Sequence, residues 1–363
     1  METEKKADPG RETKREITTI EIVGMVVLFL FLGTIFFKPE FLSELFQAMF
    51  NKILEVPIQL FLTGMVGVAI IASVIIGRIL ERLGFTDALI RIFVGLANKL
   101  NFNSAIIIPG VYNILGDINA AGKIAGPILV KAGATKDEQK IAVATMVQSQ
   151  QSFSTFMLGM LALGIAGIRV FPVVIIAVFL PLIVVPVILK YTIYRDTKGV
   201  KLEVLPRFTP TTGALPTLFG AAREGVELLL LLIIPAAAAI FGIIGALEYI
   251  GFWAPFQSWL GSVLQFLSID PETGVIAIVA APTLAMAMLV ESAANIEPRL
   301  VVGSFILASS GLPLSVIFGQ IPTVWAEITD LSEKEALYAA LLGTGMRVVT
   351  ALILALLLTP LLI

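Results

Sequence analysis

Apolar residues run through this chain in long blocks, such as "IVGMVVLFLFLGTIFF" (Ile22 to Phe37), with polar residues in short clusters between them. Blocks of this kind cross a hydrocarbon layer of roughly 30 Å as helices, because a helix satisfies its own backbone groups in lipid. Strand-like alternation is absent, which argues against a barrel. One cluster stands out: "MVQSQQSFSTFM" (Met146 to Met157) holds seven polar residues among twelve, inside an otherwise apolar stretch. On a continuous helix Gln148, Gln151, Ser152 and Thr155 share one narrow arc, with Phe153 and Met157 opposite. The arc reads either as hydrogen-bonding glue between packed helices or as the wall of a cavity for a polar solute. Recurrence of the stripe favours the cavity.

That recurrence belongs to an internal duplication. "IIGRILERLGF" (Ile75 to Phe85) matches "IIGALEYIGF" (Ile243 to Phe252) with one gap, and "PGVYNILGDINAA" (Pro109 to Ala121) matches "PTLAMAMLVESAA" (Pro282 to Ala294). Gln148, Gln151 and Thr155 are spaced like Gln320, Thr323 and Glu327. The matches define two units, 57–193 and 223–363, after a tail at 1–16 and a first transmembrane helix with an interfacial segment at 17–56, and with a linker at 194–222. Each unit reads as a long helix, a surface-lying amphipathic helix, a broken hairpin and two further helices. The first unit places them at about 56–82, 86–100, 104–132, 138–166 and 171–193; the second at about 224–249, 253–267, 273–310, 314–329 and 335–361.

Composition agrees, with 57% hydrophobic and 14% charged residues and a mean hydropathy of +0.96, too little polar surface to cover a soluble globule. The absence of Cys and His removes thiol chemistry, disulfides and the usual zinc, iron or haem ligands. A net charge of −2 gives no reason to expect nucleic acid. "METEKKADPGRETKRE" is charged, of mixed sign and contains Pro and Gly, which reads as a disordered cytoplasmic tail. Lys and Arg then set the orientation. With a cytoplasmic amino terminus and non-crossing hairpins, the external segments hold only Lys38, Lys52 and Arg169. The two units come out inverted relative to one another. The expected fold is an all-α polytopic membrane protein with inverted-topology repeats, each with a re-entrant helical hairpin, and about seven crossing helices.

Ionisable groups in such hairpins are costly in lipid and usually face a cavity or a partner. "NILGDINAAGKIAG" offers Asn113, Asp117, Asn119 and Lys123; "LVESAANIEPRLV" offers Glu291, Ser292, Asn295, Glu297 and Arg299. Asp117, Glu291 and Glu327 are the candidates for coupling to Na⁺ or H⁺. Arg347, alone in the last helix, either snorkels or pairs with an acid such as Glu327. Pro322 is expected to kink its helix and free a carbonyl near the stripe.

At these residues the chain resembles the nucleoside recognition, or Gate, family of membrane proteins. That family pairs an apolar hairpin carrying a small and polar break with a following polar helix. "LGDINAAGKIAGPIL" is also similar to a segment of bacterial ethanolamine permeases, and concentrative nucleoside transporters share the hairpin plan. The resemblance implies that Asn119 and Ser292, at the hairpin breaks, line a pore with Gln148 and Gln320. Iron transporters of the same broad group carry pore Cys residues and a GTPase domain, and neither is present here.

Together these features describe a transporter of the inner (cell) membrane, not an enzyme, that moves a small polar organic solute, nucleoside-like or amine-like, by alternating access. Substrate-binding candidates are Asn119, Gln148, Gln151, Ser152, Thr155, Ser292, Gln320 and Thr323. No cofactor or metal is expected beyond a coupling ion, Na⁺ or H⁺. The partners are the solute and the bilayer, with room for a homo-oligomer. The alternatives are a non-transporting membrane factor of the Gate group and an intramembrane enzyme.

Overall fold

The computed structural model describes residues 17–116, 118–149, 151–202, 204–310 and 313–363, and every regular element among them is helical. α1 (Thr19–Phe37) starts with a capping box in which Thr18 and Glu21 satisfy each other's backbone N–H groups. No residue of α1 is buried within the chain, so its apolar side chains are left for lipid. α2 (Pro39–Ile53) runs on as wide helical turns to Thr63, and after Gly64 the chain bends by 49° into α3 (Met65–Arg82). Gly64 permits the bend, since a Cβ there would meet the Leu60 carbonyl oxygen at 2.5 Å.

The first half continues with the amphipathic α4 (Phe85–Lys99) and a hairpin of α5 (Ile108–Leu115) and α6 (Ile118–Lys131). A broken helix follows, made of α7 (Lys136–Gln148) and α8 (Phe153–Ile165), then the span of α9 (Val170–Val174) and α10 (Pro181–Thr192). The second half repeats the order with a long span, α11 (Ala214–Glu227) and α12 (Ile234–Tyr249), and the surface helix α13 (Trp253–Phe266). Next come a hairpin of α14 (Pro271–Val279) and α15 (Pro282–Ser292), a broken helix of α16 (Pro298–Ala308) and α17 (Ile321–Ile328), and the closing helix α18 (Glu333–Ile353) with α19 (Thr359–Leu362). Proline opens α14, α15 and α16, where its missing N–H costs nothing.

Among the described residues four helices are long and apolar enough to cross a membrane, Thr19–Phe37, Val170–Thr192, Ala214–Tyr249 and Glu333–Leu362, and two bent pairs bring the number to six. The chain is a multi-pass membrane protein. Two of the seven expected spans do not qualify: 138–166 is interrupted, leaving halves each too short to cross alone, and 314–329 yields only the short apolar helix Val316–Ile328. One of the bent pairs, α13 with α14, turns through 107°. It is the surface helix entering its hairpin.

Three sequence assignments need correction. The second hairpin does not extend over 273–310: its tip is Ala280 and Ala281, and α16 already belongs to the broken helix. Glu291 and Ser292 therefore end α15 instead of marking a hairpin break. The match of Pro109 with Pro282 equated two helix starts, but Pro109 begins a first arm and Pro282 a second arm. Likewise Gln148 ends the first half of one broken helix while Gln320 lies in the second half of the other, so they are not equivalent positions.

The linker is tied down rather than hanging free in water. Asp87 on α4 accepts hydrogen bonds from the backbone of Phe208 (2.7 Å) and Thr209 (3.2 Å) and from the Thr209 hydroxyl. Glu138 takes the Lys198 N–H at 2.9 Å, and Arg82 donates to the Thr212 carbonyl at 2.9 Å. Beside this strap, burial and then the Asp137 carboxylate raise the pKa of the Tyr194 phenol, which stays neutral.

Candidate functional site

The polar cluster at Met146 to Met157 is where the helix breaks. Ser side chains offer the backbone alternative hydrogen bonds, and the chain uses one: Ser149 Oγ donates to the Met146 carbonyl at 2.7 Å where α7 stops at Gln148 and Ser149 is extended (φ −77°, ψ 162°). Ser152 takes φ +62° and ψ 150°, a conformation that costs a non-glycine residue about 1–3 kcal/mol. It is held there by its own N–H, which donates to the Asn113 carbonyl at 3.0 Å, and it caps α8 by accepting the Thr155 N–H at 3.3 Å. Gln148, Gln151, Ser152 and Thr155 therefore do not lie on one continuous helical arc.

Each hairpin meets both broken helices. The first arms lie against the first half-helix of their own half of the chain, α5 on α7 and α14 on α16, while the second arms cross over, α6 onto α17 and α15 onto α8. At one crossing the Asn113 amide donates to the Met146 carbonyl (3.3 Å) and to Ser149 Oγ (3.1 Å). At another, Ser152, Thr155 and Thr283 form a hydroxyl chain with links of 2.9 Å, joining α8 to the first turn of α15. On the other side Asn119 Nδ2 donates to Gln320 Oε1 at 3.0 Å. The two breaks also touch, through Gln151 N–H and the Ser309 carbonyl at 2.9 Å.

Gln148, fully buried, donates its amide to the Gly343 carbonyl on α18 at 2.9 Å. α18 approaches closely here, for a Cβ on Gly343 would meet the Ala144 carbonyl oxygen at 2.8 Å. Three buried amide oxygens near the first break, Asn113 Oδ1, Gln148 Oε1 and Gln151 Oε1, have no donor among the described residues. Buried acceptors are normally paired, so these three are an unmet demand for hydrogen-bond donors.

The remaining candidates fall elsewhere. Gln320 and Thr323 are exposed along one side of the α17 segment, and Glu327 is exposed in its last turn. Ser292 donates back to the Met288 carbonyl at 3.2 Å, and Glu291 beside it is exposed. Asp117 lies outside the described residues. Among the described residues no group of acids could hold a metal ion. Arg347 neither snorkels nor pairs with Glu327: it is fully buried and bonded to backbone carbonyls. Sequence reasoning assigned no role to Ser149, Thr283 and Ser309, although "SSGLP" (Ser309 to Pro313) carries the same kind of polar interruption as the first break.

No protein-family model and no curated protein matches this chain. Among solved structures it resembles CNTnw in an inward-facing, substrate-bound state, with a TM-score of 0.58 and 14% identity over 93% of this chain and 84% of that one. Two doubly substituted CNTnw variants in an outward-facing state are similar to it as well, with TM-scores of 0.58 and 0.59 and 15% identity over 94% of this chain. The likeness to concentrative nucleoside transporters thus holds at the level of the fold.

Proposed function

We propose that this protein is a secondary transporter of a small polar organic solute, bound where the two broken helices cross and released by alternating access. The observation that carries the reading is the set of unpaired acceptors, Asn113 Oδ1, Gln148 Oε1 and Gln151 Oε1, buried at a helix break beside the strained Ser152. Irregular backbone at membrane depth is tolerated where it lines a cavity or is sealed by protein, and transporter sites are typically built from discontinuous helices. Acceptors call for donors, so the solute carries hydroxyl or amino groups, as nucleosides and small amines do. Similarity to a transporter solved in inward- and outward-facing states supports alternating access.

In this reading Gln151, Ser152, Thr155 and Asn119 with Gln320 face the solute path, and the halves are inverted repeats in a cell membrane. The amino terminus and the 194–222 linker are cytoplasmic, consistent with the scarcity of Lys and Arg in the opposite segments. The test is thermal stabilisation of the purified protein across a panel of nucleosides, amines and small acids. A saturable rise in melting temperature with donor-rich solutes, absent in Gln151→Leu, supports the site. A panel without any effect counts against it.

A further inference from the structure

Arg347 is a buried charge whose role the transport reading leaves open. It is fully buried near the middle of α18, and no ion pair among the described residues includes it. An unpaired cation in such a place is expensive, so its partners must compensate. Nε donates to the Ile306 carbonyl at 2.6 Å; Nη1 donates to the Gln148 carbonyl at 2.5 Å and the Ala177 carbonyl at 2.7 Å; Nη2 reaches Ser309 Oγ at 3.4 Å.

Each of these carbonyls lacks its ordinary i+4 helical donor for an identifiable reason. Gln148 is the last residue of α7, and Ile306 lies in the last turn of α16; the final carbonyls of a helix have no partner within it. Ala177 lies four residues before Pro181, which has no N–H to give it. The guanidinium thus sits where the carboxyl-terminal ends of both interrupted first half-helices converge. Each end carries roughly half an elementary negative charge. Two of them make about one unit, which a single guanidinium balances.

Converging half-helix carboxyl ends with unwound carbonyls are the groups that hold coupling cations in transporters with broken helices. We infer that Arg347 is a resident cation at this pole, so that the two broken helices are held, and solute is bound, without a mobile Na⁺ there. The inference rests on the transport reading for its functional meaning. It also fits the placement of Glu291 and Glu327, which are exposed in the last turns of their helices. With the positive charge supplied by the chain, the orphan acceptors Asn113 Oδ1, Gln148 Oε1 and Gln151 Oε1 remain for the solute's donors.

The test is melting of the solute-free, full-length protein in sodium, potassium and choline chloride at matched ionic strength, for wild type and Arg347→Ala. Wild type should melt at the same temperature in all three, within about 1 °C. The variant should melt lower, and its melting temperature should rise on adding Na⁺ or dilute guanidinium, a cation of the lost shape, neither of which moves wild type. A saturable, Na⁺-specific rise in wild type overturns the proposal, as does a variant that responds to none of the cations. If the alanine variant does not fold, Arg347→Lys takes its place, because lysine keeps the charge but cannot span three carbonyls with a planar fork; the wild-type comparison decides even without a variant. Because solute is absent, a Na⁺ requirement would sink this inference and leave the transport reading standing, whereas failure of every solute to bind would do the reverse.

Discussion

The backbone N–H of Gln151 donates to the carbonyl of Ser309 across 2.9 Å. This bond joins the interruption of one broken helix to that of the other, so a shift of one break breaks it unless the other moves too. In the proposed transporter, a site built there would be lined by both halves of the chain. The consequences are testable one residue at a time.

Both glutamines offer an unpaired side-chain oxygen to the solute, but only Gln148 should also carry stability. Gln148→Leu removes a buried bond to the Gly343 carbonyl and should cost about 0.5–1.5 kcal/mol of stability, the net worth of one hydrogen bond, since that carbonyl keeps its helical partner within α18. Gln151 makes its inter-break bond through the backbone and leaves its side-chain oxygen unpaired. Gln151→Leu should therefore change melting little and weaken solute binding by about 0.5–1.5 kcal/mol. Melting and affinity measured on the same preparations check both.

Packing of the second broken helix depends on Gly303, where a Cβ would lie 1.8 Å from the Ser268 carbonyl oxygen. Gly303→Ala should destabilise by about 1–3 kcal/mol through overpacking. Gly95 on α4 has open space at the same position, and Gly95→Ala should be neutral or stabilising by about 0.5–1 kcal/mol. Equal melting temperatures for the two variants would refute the close approach of α16 to the α13–α14 turn.

Releasing the strap should expose it to proteases. Asp87→Ala removes the acceptor for Phe208 and Thr209, so cleavage within 204–213 should accelerate in limited proteolysis. Cleavage elsewhere should not change. An unaltered pattern would mean that the strap is held by its other contacts alone.

Topology can be read chemically because the chain has no native Cys. A Lys201→Cys variant, exposed on the linker, should resist an impermeant thiol reagent in intact cells and react once the membrane is opened. Labelling in intact cells would place the linker outside and undo the assigned orientation.

Much of this architecture was legible in the sequence, and the failures share physical causes. The first hairpin was readable because "GDINAA" combines glycine with polar residues inside an apolar run. The second was misplaced because its tip is Ala280 and Ala281 before Pro282, apolar residues that leave hydropathy unchanged. The break after Gln148 was hidden by periodicity, since Gln148, Gln151, Ser152 and Thr155 keep helical spacing across a gap in the helix. Arg347 was misread because its partners are backbone carbonyls, which have no signature in side-chain spacing. Only Pro181, which withholds an N–H from Ala177, hinted at one of them.

The most direct test of the central claim is uptake of labelled nucleosides and small amines into proteoliposomes, with wild type and Gln151→Leu compared against protein-free vesicles. The account requires at least one donor-bearing solute to enter faster with wild type, saturably, and more slowly with Gln151→Leu at equal protein incorporation. Entry at the protein-free rate for every solute, with a folded wild-type protein, would contradict it.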